Sequence, residues 1–401
     1  MPNNFFSKSS DRDFEIRCTL GAAQAGGSDV GEVLAAVAGI KPKDHEGWFD
    51  AWTELSIATA TAAQDAAEAG HTVTAAWAHL RAAHYYSVAV NAASAVADSE
   101  ELLQTFKKHL AAWEGFVDNA PVPVERVSIP YGRTRLPGYF FSPSGAKKAR
   151  PTLIMSNGSD GAISAMWSQG GAAALARGYN FLAFDGPGQQ SMLFEKGMPF
   201  RPDWEAVITP VVNFLVTRRD VSKSKLAIWG ISQGGYWVPR AMAFEHRLAA
   251  GVADPGVVDV SASWMSNLPK SMIKLIDKGD AKKFNKDMKL GLKFQHDAER
   301  TWNFRARPYN SESYFDTIES VLQYKLDADT AAQIKSPLLI TSPEDEQFWP
   351  GQSEALASMT PDVSEVVNFT EAEGADGHCQ PLARTLTHER VLDWLDEKLA
   401  R

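Results

Sequence analysis

Residues 225–240 read Lys-Leu-Ala-Ile-Trp-Gly-Ile-Ser-Gln-Gly-Gly-Tyr-Trp-Val-Pro-Arg. A short apolar run precedes the pattern Gly-x-Ser-x-Gly, which is centred on Ser232, and an amphipathic run follows it. Strand, sharp turn and helix is the setting in which this pattern presents a nucleophilic serine. The helix N-terminus behind the turn offers free N–H groups to a developing oxyanion. Five residues are a weak signal. On this pattern alone, an ordinary strand-to-helix turn with Ser232 as the helix cap remains an alternative interpretation.

The composition is that of a soluble globular protein with a large core. The chain has 401 residues, 44% hydrophobic and 22% charged, which favours two domains. A formal charge of −9 argues against a nucleic-acid partner. Two cysteines, no leader-like N-terminus and no long apolar run predict a cytoplasmic protein without membrane partners. No metal-binding or nucleotide-binding motif stands out, so we expect no metal and no cofactor.

The chain divides by composition near residue 122. Residues 1–27 look frayed at the start and turn-rich at the end, and residues 29–119 are rich in alanine with apolar residues at helical spacing. We assign residues 1–122 to an all-helical N-terminal domain. A Pro-Val-Pro linker, a β-hairpin and alternating strands and helices follow, so residues 123–401 predict a mainly parallel sheet with helices on both faces.

Between residues 259 and 334 the alternation stops and the pattern becomes helical. An insertion at this place in the chain is expected to lie over the carboxyl edge of the sheet, where open α/β sheets bind ligands. We therefore predict a helical lid that excludes water from the site, with a purely structural appendage as the alternative.

The base that a nucleophilic serine needs is best supplied by His378. Four histidines follow Ser232 in the chain. His246 and His388 fall on predicted helices with solvated faces, and His296 falls in the insertion. His378 lies in a glycine-flanked loop between the last strand and the last helix, from which it can reach the serine.

The acid that orients this base is expected just after the strand at residues 338–341. The loop reads Ser-Pro-Glu-Asp-Glu-Gln-Phe-Trp-Pro over residues 342–350. In the common G-x-x-D-x-x-x-P form of such a loop the acid stands four residues before the proline, which is Glu346 here. Asp345 is the alternative acid, because aspartate is more common and a shift of one residue is easy.

An oxyanion hole requires two N–H donors. The residue after the nucleophile, Gln233, is expected to provide one. The other is expected from the glycine-flanked loop at residues 156–161, where Gly158 or Ser159 would donate. An ordinary strand-to-helix turn is the alternative for this loop.

With these residues in place, the order Ser232, Glu346 or Asp345, His378 resembles the α/β-hydrolase superfamily over residues ~125–401. The helical N-terminal domain, Phe-Asp-Gly-Pro-Gly-Gln at residues 184–189 and Trp-Gly-Ile-Ser-Gln-Gly-Gly-Tyr at residues 229–236 are similar to the group of 2,6-dihydroxypseudooxynicotine hydrolase, FrsA-like esterases and Ayg1-type hydrolases. The resemblance implies cleavage of esters or of carbon–carbon bonds next to a ketone, without a cofactor, by a homodimer. Two departures are Gln190, where the group has glycine, and the absence of a carboxylate at residues 163–167.

The predicted function is that of a serine hydrolase acting through an acyl-enzyme on a bulky aromatic or polyketide-like small molecule. Aromatic residues are candidates for the pocket walls, of which only two or three are expected to contact a ligand. These candidates are Trp167, Tyr236, Trp237, Tyr85, Tyr86, Trp48 and Trp52. The alternative is a non-catalytic binding or regulatory protein on the same fold, which predicts a broken triad.

Overall fold

A bundle of helices occupies the first third of the chain. The computed structural model describes residues 5–143 and 148–400. The helices before the first strand are α1 (Ser10–Gly21), α2 (Val30–Val37), α3 (His45–Glu68), α4 (Thr72–Ser94) and α5 (Glu101–Asp118). Alanine-rich sequence favours these helices, and the Asp44 carboxylate caps α3 by accepting a hydrogen bond from the Gly47 N–H at 2.9 Å. Helix α4 is buried along most of its length.

A single eight-stranded sheet follows the bundle. Its strands are β1 (Val124–Tyr131), β2 (Thr134–Phe141), β3 (Arg150–Ser156), β4 (Asn180–Phe184), β5 (Val221–Ile231), β6 (Ala250–Asp254), β7 (Leu338–Pro343) and β8 (Ser364–Phe369). Their spatial order is β1-β2-β4-β3-β5-β6-β7-β8. Strands β1 and β2 pair antiparallel with each other, β2 pairs antiparallel with β4, and all other pairs are parallel.

Helices cover both faces of this sheet. The helices of the α/β part outside the insertion are α6 (Ala172–Ala176), α7 (Gln190–Phe194), α8 (Glu205–Leu215), α9 (Gly234–Met242), α16 (Gln352–Met359) and α17 (Arg384–Ala400). One hydrophobic core includes residues of α8 and α9 and extends into the insertion. A second core, on the opposite face, joins residues of α17 and the 163–175 segment to α4 and α5. The bundle is therefore packed directly on the sheet domain.

The segment between β6 and β7 is helical. It contains α10 (Ala262–Met265), α11 (Lys270–Asp277), α12 (Ala281–Leu292), α13 (His296–Ala306), α14 (Tyr314–Val321) and α15 (Ala328–Ala331). A short 3₁₀ turn, Arg307–Tyr309, follows α13, and its Pro308 carbonyl accepts a hydrogen bond from the Phe200 N–H at 2.8 Å.

The predicted fold class, a mainly parallel sheet with helices on both faces and a helical N-terminal part, is confirmed. The domain boundaries at 122 and 123 and the role of residues 259–334 as a lid stay predictions. The interpretation of residues 1–27 was incomplete, since Ser10–Gly21 forms a helix. In the described part of the chain, none of the helices combines the length and the hydropathy needed to cross a membrane.

Candidate active site

Ser232 stands alone on a sharp turn between β5 and α9. Its backbone adopts φ 56°, in the left-handed region. The two glycines of the pattern make this turn possible. A Cβ atom on Gly230 would lie 2.1 Å from the Gly234 carbonyl oxygen, and one on Gly234 would lie 2.6 Å from the Ser156 carbonyl oxygen. The Ser232 N–H donates to the Asp254 carbonyl at 2.7 Å, which joins the turn to the end of β6.

A histidine and a carboxylate from distant parts of the chain meet this serine. The Ser232 hydroxyl donates to Nε2 of His378, with 2.9 Å between Oγ and Nε2. Nδ1 of His378 lies 2.9 Å and 2.8 Å from the two carboxylate oxygens of Glu346, so the Nδ1–H donates to that carboxylate. The ring is therefore held with its free lone pair on the serine side, which is the tautomer a general base requires.

Hydrogen-bond donors around Glu346 hold it as an anion although it is buried. The side chains of His378 and Glu346 are only 2% and 7% exposed. Burial raises the pKa of Glu346, but His378 and hydrogen bonds from the N–H groups of Phe348 and Trp349 outweigh it, so the pKa lies below its ordinary value. Those N–H groups donate to Glu346 Oε1 at 2.9 Å and 3.2 Å. Glu346 is therefore equipped to stabilise an imidazolium.

The loop that carries His378 is tied to the nucleophile turn. Cys379 and Gln380, which follow the histidine, both have positive φ values, 56° and 45°. The Cys379 thiol donates to the Asp254 carbonyl oxygen at 3.1 Å, and the Ser232 N–H donates to the same oxygen. The buried Asp254 carboxylate in turn accepts from the Thr341 hydroxyl at 2.6 Å. The end of β6 thus fixes the serine and histidine loops relative to each other.

The loop after β3 lies against the nucleophile. A Cβ atom on Gly158 would lie 2.8 Å from Cβ of Ser232 and 3.3 Å from its Oγ. The Gly158 N–H donates to the Asn157 side chain at 2.9 Å. The backbone N–H groups of Gln233 and Ser159 have no hydrogen-bond acceptor among the described residues. Of the three predicted donors, Gln233 and Ser159 therefore keep a free N–H for an oxyanion. Gly158, which has no side chain, allows the loop to lie close to Ser232.

A second glycine-rich loop braces the first. The Gln189 side chain accepts from the Gly186 N–H at 2.6 Å and donates to the Asn157 carbonyl at 2.9 Å. Asp185 is buried and accepts a hydrogen bond from the Ser191 N–H at 3.0 Å. Burial raises the pKa of Asp185 to about 6. This loop holds the 156–161 loop in place and presents no catalytic group of its own.

Known proteins share this architecture over almost the full length of the chain. The model of the prolyl oligopeptidase family matches residues 206–289, which include the turn at Ser232. Hydrolase LUC6 of Fusarium sp is 28% identical over 416 residues, covering 99% of this chain and 97% of that protein. The 20-hydroxy-prefusarin hydrolase FUS2 of Gibberella moniliformis is 28% identical, covering 97% of this chain and 96% of that one.

A solved structure agrees with these relatives. The structure of 2,6-dihydroxy-pseudo-oxynicotine hydrolase has a TM-score of 0.74 to this chain at 19% identity, covering 94% of this chain and 95% of that one, which shows a common fold. The chain belongs to the α/β-hydrolase superfamily. It is a hydrolase, and the structure shows which of the predicted site residues come together in it.

The structure separates the two candidate acids of this hydrolase. Asp345 is exposed, and its N–H donates to the Asp376 carbonyl at 2.9 Å. Its carboxylate makes no hydrogen bond to His378, whereas Glu346 contacts Nδ1 with both oxygens. Glu346, the residue four before Pro350, therefore occupies the position of the acid, and the alternative Asp345 does not.

The aromatic residues predicted as pocket walls are buried in the core. Tyr236 and Trp237 are fully buried, and their polar atoms bond to the Pro202 and Arg201 carbonyls. The remaining five are also buried, and none has a ring contact with His378; these are Trp167, Tyr85, Tyr86, Trp48 and Trp52. Trp167 does line a groove of about 640 Å³, but Ser232, Glu346 and His378 do not line it. Buried aromatics usually serve packing, and a substrate-wall role for two or three of these residues stays a prediction.

The rings that surround His378 come from elsewhere. Phe348 packs edge-on at 4.7 Å between ring centroids, Trp349 lies at 5.7 Å, and Phe14 of α1 lies at 5.9 Å. Arg305 of α13 lies over the Phe348 ring at 5.4 Å. Phe348 and Trp349 could have been found from their positions two and three residues after the acid. Phe14 could not, because α1 reaches the site only through the tertiary fold.

The other histidines after Ser232 lie away from it. His246 is exposed, as expected, and His296 of the insertion is exposed as well. His388 is buried rather than on a solvated face, and its Nε2–H donates to the Gln169 carbonyl at 3.0 Å. Its place in the sequence, next to a glutamate and an arginine, gave no sign of this burial.

Proposed function

We propose that this hydrolase is a serine hydrolase that cleaves an ester or a ketone-activated carbon–carbon bond in a bulky small molecule. The observation that carries the proposal is the chain of hydrogen bonds from the Ser232 hydroxyl through His378 to Glu346, with 2.9 Å between Oγ and Nε2. An arrangement of this kind turns a hydroxyl into a nucleophile. No cofactor takes part in the proposed reaction.

The reaction proceeds in two halves. His378 takes the Ser232 proton as Oγ attacks the substrate carbonyl, and the N–H groups of Gln233 and Ser159 stabilise the oxyanion. His378 then gives its proton to the leaving group, which leaves an acyl-enzyme on Ser232. In the second half His378 activates a water molecule that releases the acid. Glu346 stays ionised and stabilises the imidazolium in both halves.

The proposed substrate class is a bulky aromatic or polyketide-like compound. The relatives support this class by the substrates in their names, a prefusarin for one and a dihydroxylated pseudo-oxynicotine for the other. The rings of Phe14, Phe348 and Trp349 around His378 suit a large apolar substrate. A cytoplasmic location and a homodimer stay predictions alongside this proposal.

Labelling with a fluorophosphonate probe tests the proposal directly. We expect stoichiometric labelling of the full chain at Ser232, hydrolysis of p-nitrophenyl esters, and loss of both in Ser232→Ala. A folded protein that takes no label and turns over no ester would support the rival class, a non-catalytic binding protein. Circular dichroism of the wild type and the variant shows that both are folded.

A further inference from the structure

The outer surface of the insertion is rich in lysine. Residues 270–293 contain eight lysines and three carboxylates, in a chain whose formal net charge is −9. All eight lysines are exposed: Lys270, Lys274, Lys278, Lys282, Lys283, Lys286, Lys289 and Lys293. A positive surface on a protein of negative net charge directs anionic partners to that one surface.

Helix α12 and the residue that caps its C-terminus carry four of these lysines on one side. Their spacings of four, three and four residues place them within about 60° around the helix axis, because one turn takes 3.6 residues. These four residues, the lysine face, are Lys282, Lys286, Lys289 and Lys293. The other side of α12 is buried, and its Phe284 ring lies 5.7 Å from the Phe315 ring between centroids. The helix is therefore held in the insertion by one side and presents the lysine face outwards.

The charge of the lysine face is not neutralised within the protein. Asp287 pairs with Lys283 instead, at 3.2 Å, and the Asp280 carboxylate caps α12 by accepting from the Lys283 N–H at 3.1 Å. Among the described residues, none of the four lysines of the face forms an ion pair. Like charges three and four residues apart on a helix repel each other, and an anionic surface relieves that repulsion.

Two large apolar side chains border the lysine face. Leu290 is 59% exposed, and Phe294, at 74%, is the most exposed large hydrophobic residue among those described. Nζ of Lys293 lies 5.9 Å from the centroid of the Phe294 ring, so the apolar and basic groups are side by side. Protein surfaces that bind the interface of a bilayer combine these two kinds of group, since lysines meet the headgroups and apolar side chains enter between them.

The kind of cation distinguishes a lipid surface from a protein partner. Every basic residue in the segment 270–293 is a lysine, and the segment contains no arginine. Arginine, whose planar group binds carboxylates through two hydrogen bonds, is enriched at protein interfaces, whereas lysine is depleted there. Lysine acts as a flexible point charge, which suits the diffuse layer of charge at a membrane surface. The composition of the face therefore favours anionic lipid over an acidic protein.

We propose that the lysine face, together with Leu290 and Phe294, docks this protein on an anionic lipid surface. A peripheral contact of this kind needs no membrane-spanning helix. The sequence-based expectation of no membrane partner depended on the absence of a leader and of a long apolar run, and neither is required here. The inference is independent of the reaction proposed for Ser232.

Flotation of the full chain with lipid vesicles tests the proposal. One set of vesicles is pure phosphatidylcholine, and the other contains about one-third phosphatidylserine. We expect the wild type to partition at least about tenfold more strongly to the anionic vesicles, and this preference to fall as the salt concentration rises, because salt screens exposed charges.

Two variants separate the basic and the apolar contributions. A lysine near an anionic membrane strengthens binding about fivefold, so replacing all four lysines of the face should weaken partitioning about 100-fold or more. This variant carries Lys282→Gln, Lys286→Gln, Lys289→Gln and Lys293→Gln. The second variant, Leu290→Ser with Phe294→Ser, keeps every charge and should weaken partitioning about tenfold.

The matched control removes the same charge from exposed lysines outside the insertion and should change partitioning by less than about twofold. It carries Lys41→Gln, Lys107→Gln, Lys108→Gln and Lys223→Gln. Circular dichroism establishes that each variant is folded. A wild type that does not prefer anionic vesicles at low salt, or a control that loses as much binding as the lysine-face variant, would overturn the proposal. Binding to poly-L-glutamate without binding to anionic vesicles would overturn it as well, in favour of an acidic protein partner.

Discussion

At the scale of single residues, the choice between Glu346 and Asp345 depends on backbone geometry. The two carboxylates are adjacent in the chain, yet the Asp345 N–H pairs with the Asp376 carbonyl and its side chain faces solvent. Glu346 turns inwards, where the N–H groups of Phe348 and Trp349 clamp one carboxylate oxygen. The longer glutamate side chain spans the remaining distance to Nδ1 of His378.

Glu346→Gln should lower kcat by about 10³–10⁴ with p-nitrophenyl butyrate, because an amide can hold the ring in the wrong tautomer and cannot stabilise the imidazolium. The matched variant Asp345→Asn changes the same functional group one residue away and should retain kcat within about twofold. Steady-state kinetics of both purified variants gives the answer. Equal losses in the two, or a larger loss in Asp345→Asn, would assign the acid differently.

Each residue of the proposed triad could be named from the sequence because it follows a local rule. Ser232 needs glycines on either side, Glu346 is counted back from a proline, and His378 sits in the last loop before the last helix. Gly158 and Phe14 show where such rules end. The N–H of Gly158 is taken by its neighbour Asn157, and Phe14 comes within 5.9 Å of the His378 ring, between centroids, only because α1 folds against the site.

At the scale of elements, α1 is the piece of the site that the sequence did not indicate. Five of its twelve residues are charged, and helical periodicity is weak over Ser10–Gly21. Tertiary contacts hold it instead: the Arg12 guanidinium donates to the Lys41 and Asp44 carbonyls at 2.6 Å and 2.9 Å. The strands were easier to predict, because β5 is an apolar run from Leu226 onwards that is buried on both faces.

Phe14→Ala should open the side of the site that α1 covers. Phe14 contacts both His378 and Phe348, at 5.9 Å and 5.8 Å between ring centroids. With that ring gone the imidazole gains freedom to move, so we expect kcat/KM to fall roughly tenfold and the free energy of unfolding to fall by about 1–2 kcal/mol, less than for a fully buried ring.

The control for this change is Phe5→Ala, the same substitution on the same segment at a side chain that is 68% exposed. It should alter neither kcat/KM nor stability. Activity and urea unfolding are measured on the same preparations. An unchanged kcat/KM in Phe14→Ala would show that α1 is a passive cover and takes no part in positioning His378.

At the scale of the whole molecule, buried histidines join the helical bundle to the catalytic domain. His84 of α4 shares a hydrogen bond with the Ser168 hydroxyl at 3.0 Å, and His109 of α5 shares one with the Ser164 hydroxyl at 3.0 Å. Both serines lie in the segment that follows the loop at residues 156–161. The residue patterns predicted a helical part and a sheet part, but not this junction, because each histidine gains its partner only when the two parts pack.

The junction makes the stability of the whole molecule sensitive to acid. Burial lowers the pKa of His84 to about 4, partly opposed by the Leu80 carbonyl, and burial together with the charge of His84 lowers the pKa of His109 to about 3. The unfolded chain binds these protons near pH 6.5, so it takes up more protons than the folded chain below that pH. Stability is therefore fully present above about pH 6.5 and is lost as the pH falls towards 4.

Urea unfolding of the full chain between pH 7.5 and pH 4.5 measures this loss. Each histidine should remove on the order of 2–3 kcal/mol over this range, and His84→Gln or His109→Gln should each flatten the profile by that amount, because glutamine does not titrate. The control is His246→Gln, since His246 is exposed and its loss should leave the slope unchanged. A wild-type profile that is flat down to pH 4.5, or one that the exposed substitution flattens equally, would show that the junction tolerates protonation. In that case protonation of paired carboxylates, Glu346 among them, would account for unfolding in acid. Those residues would be the next to substitute.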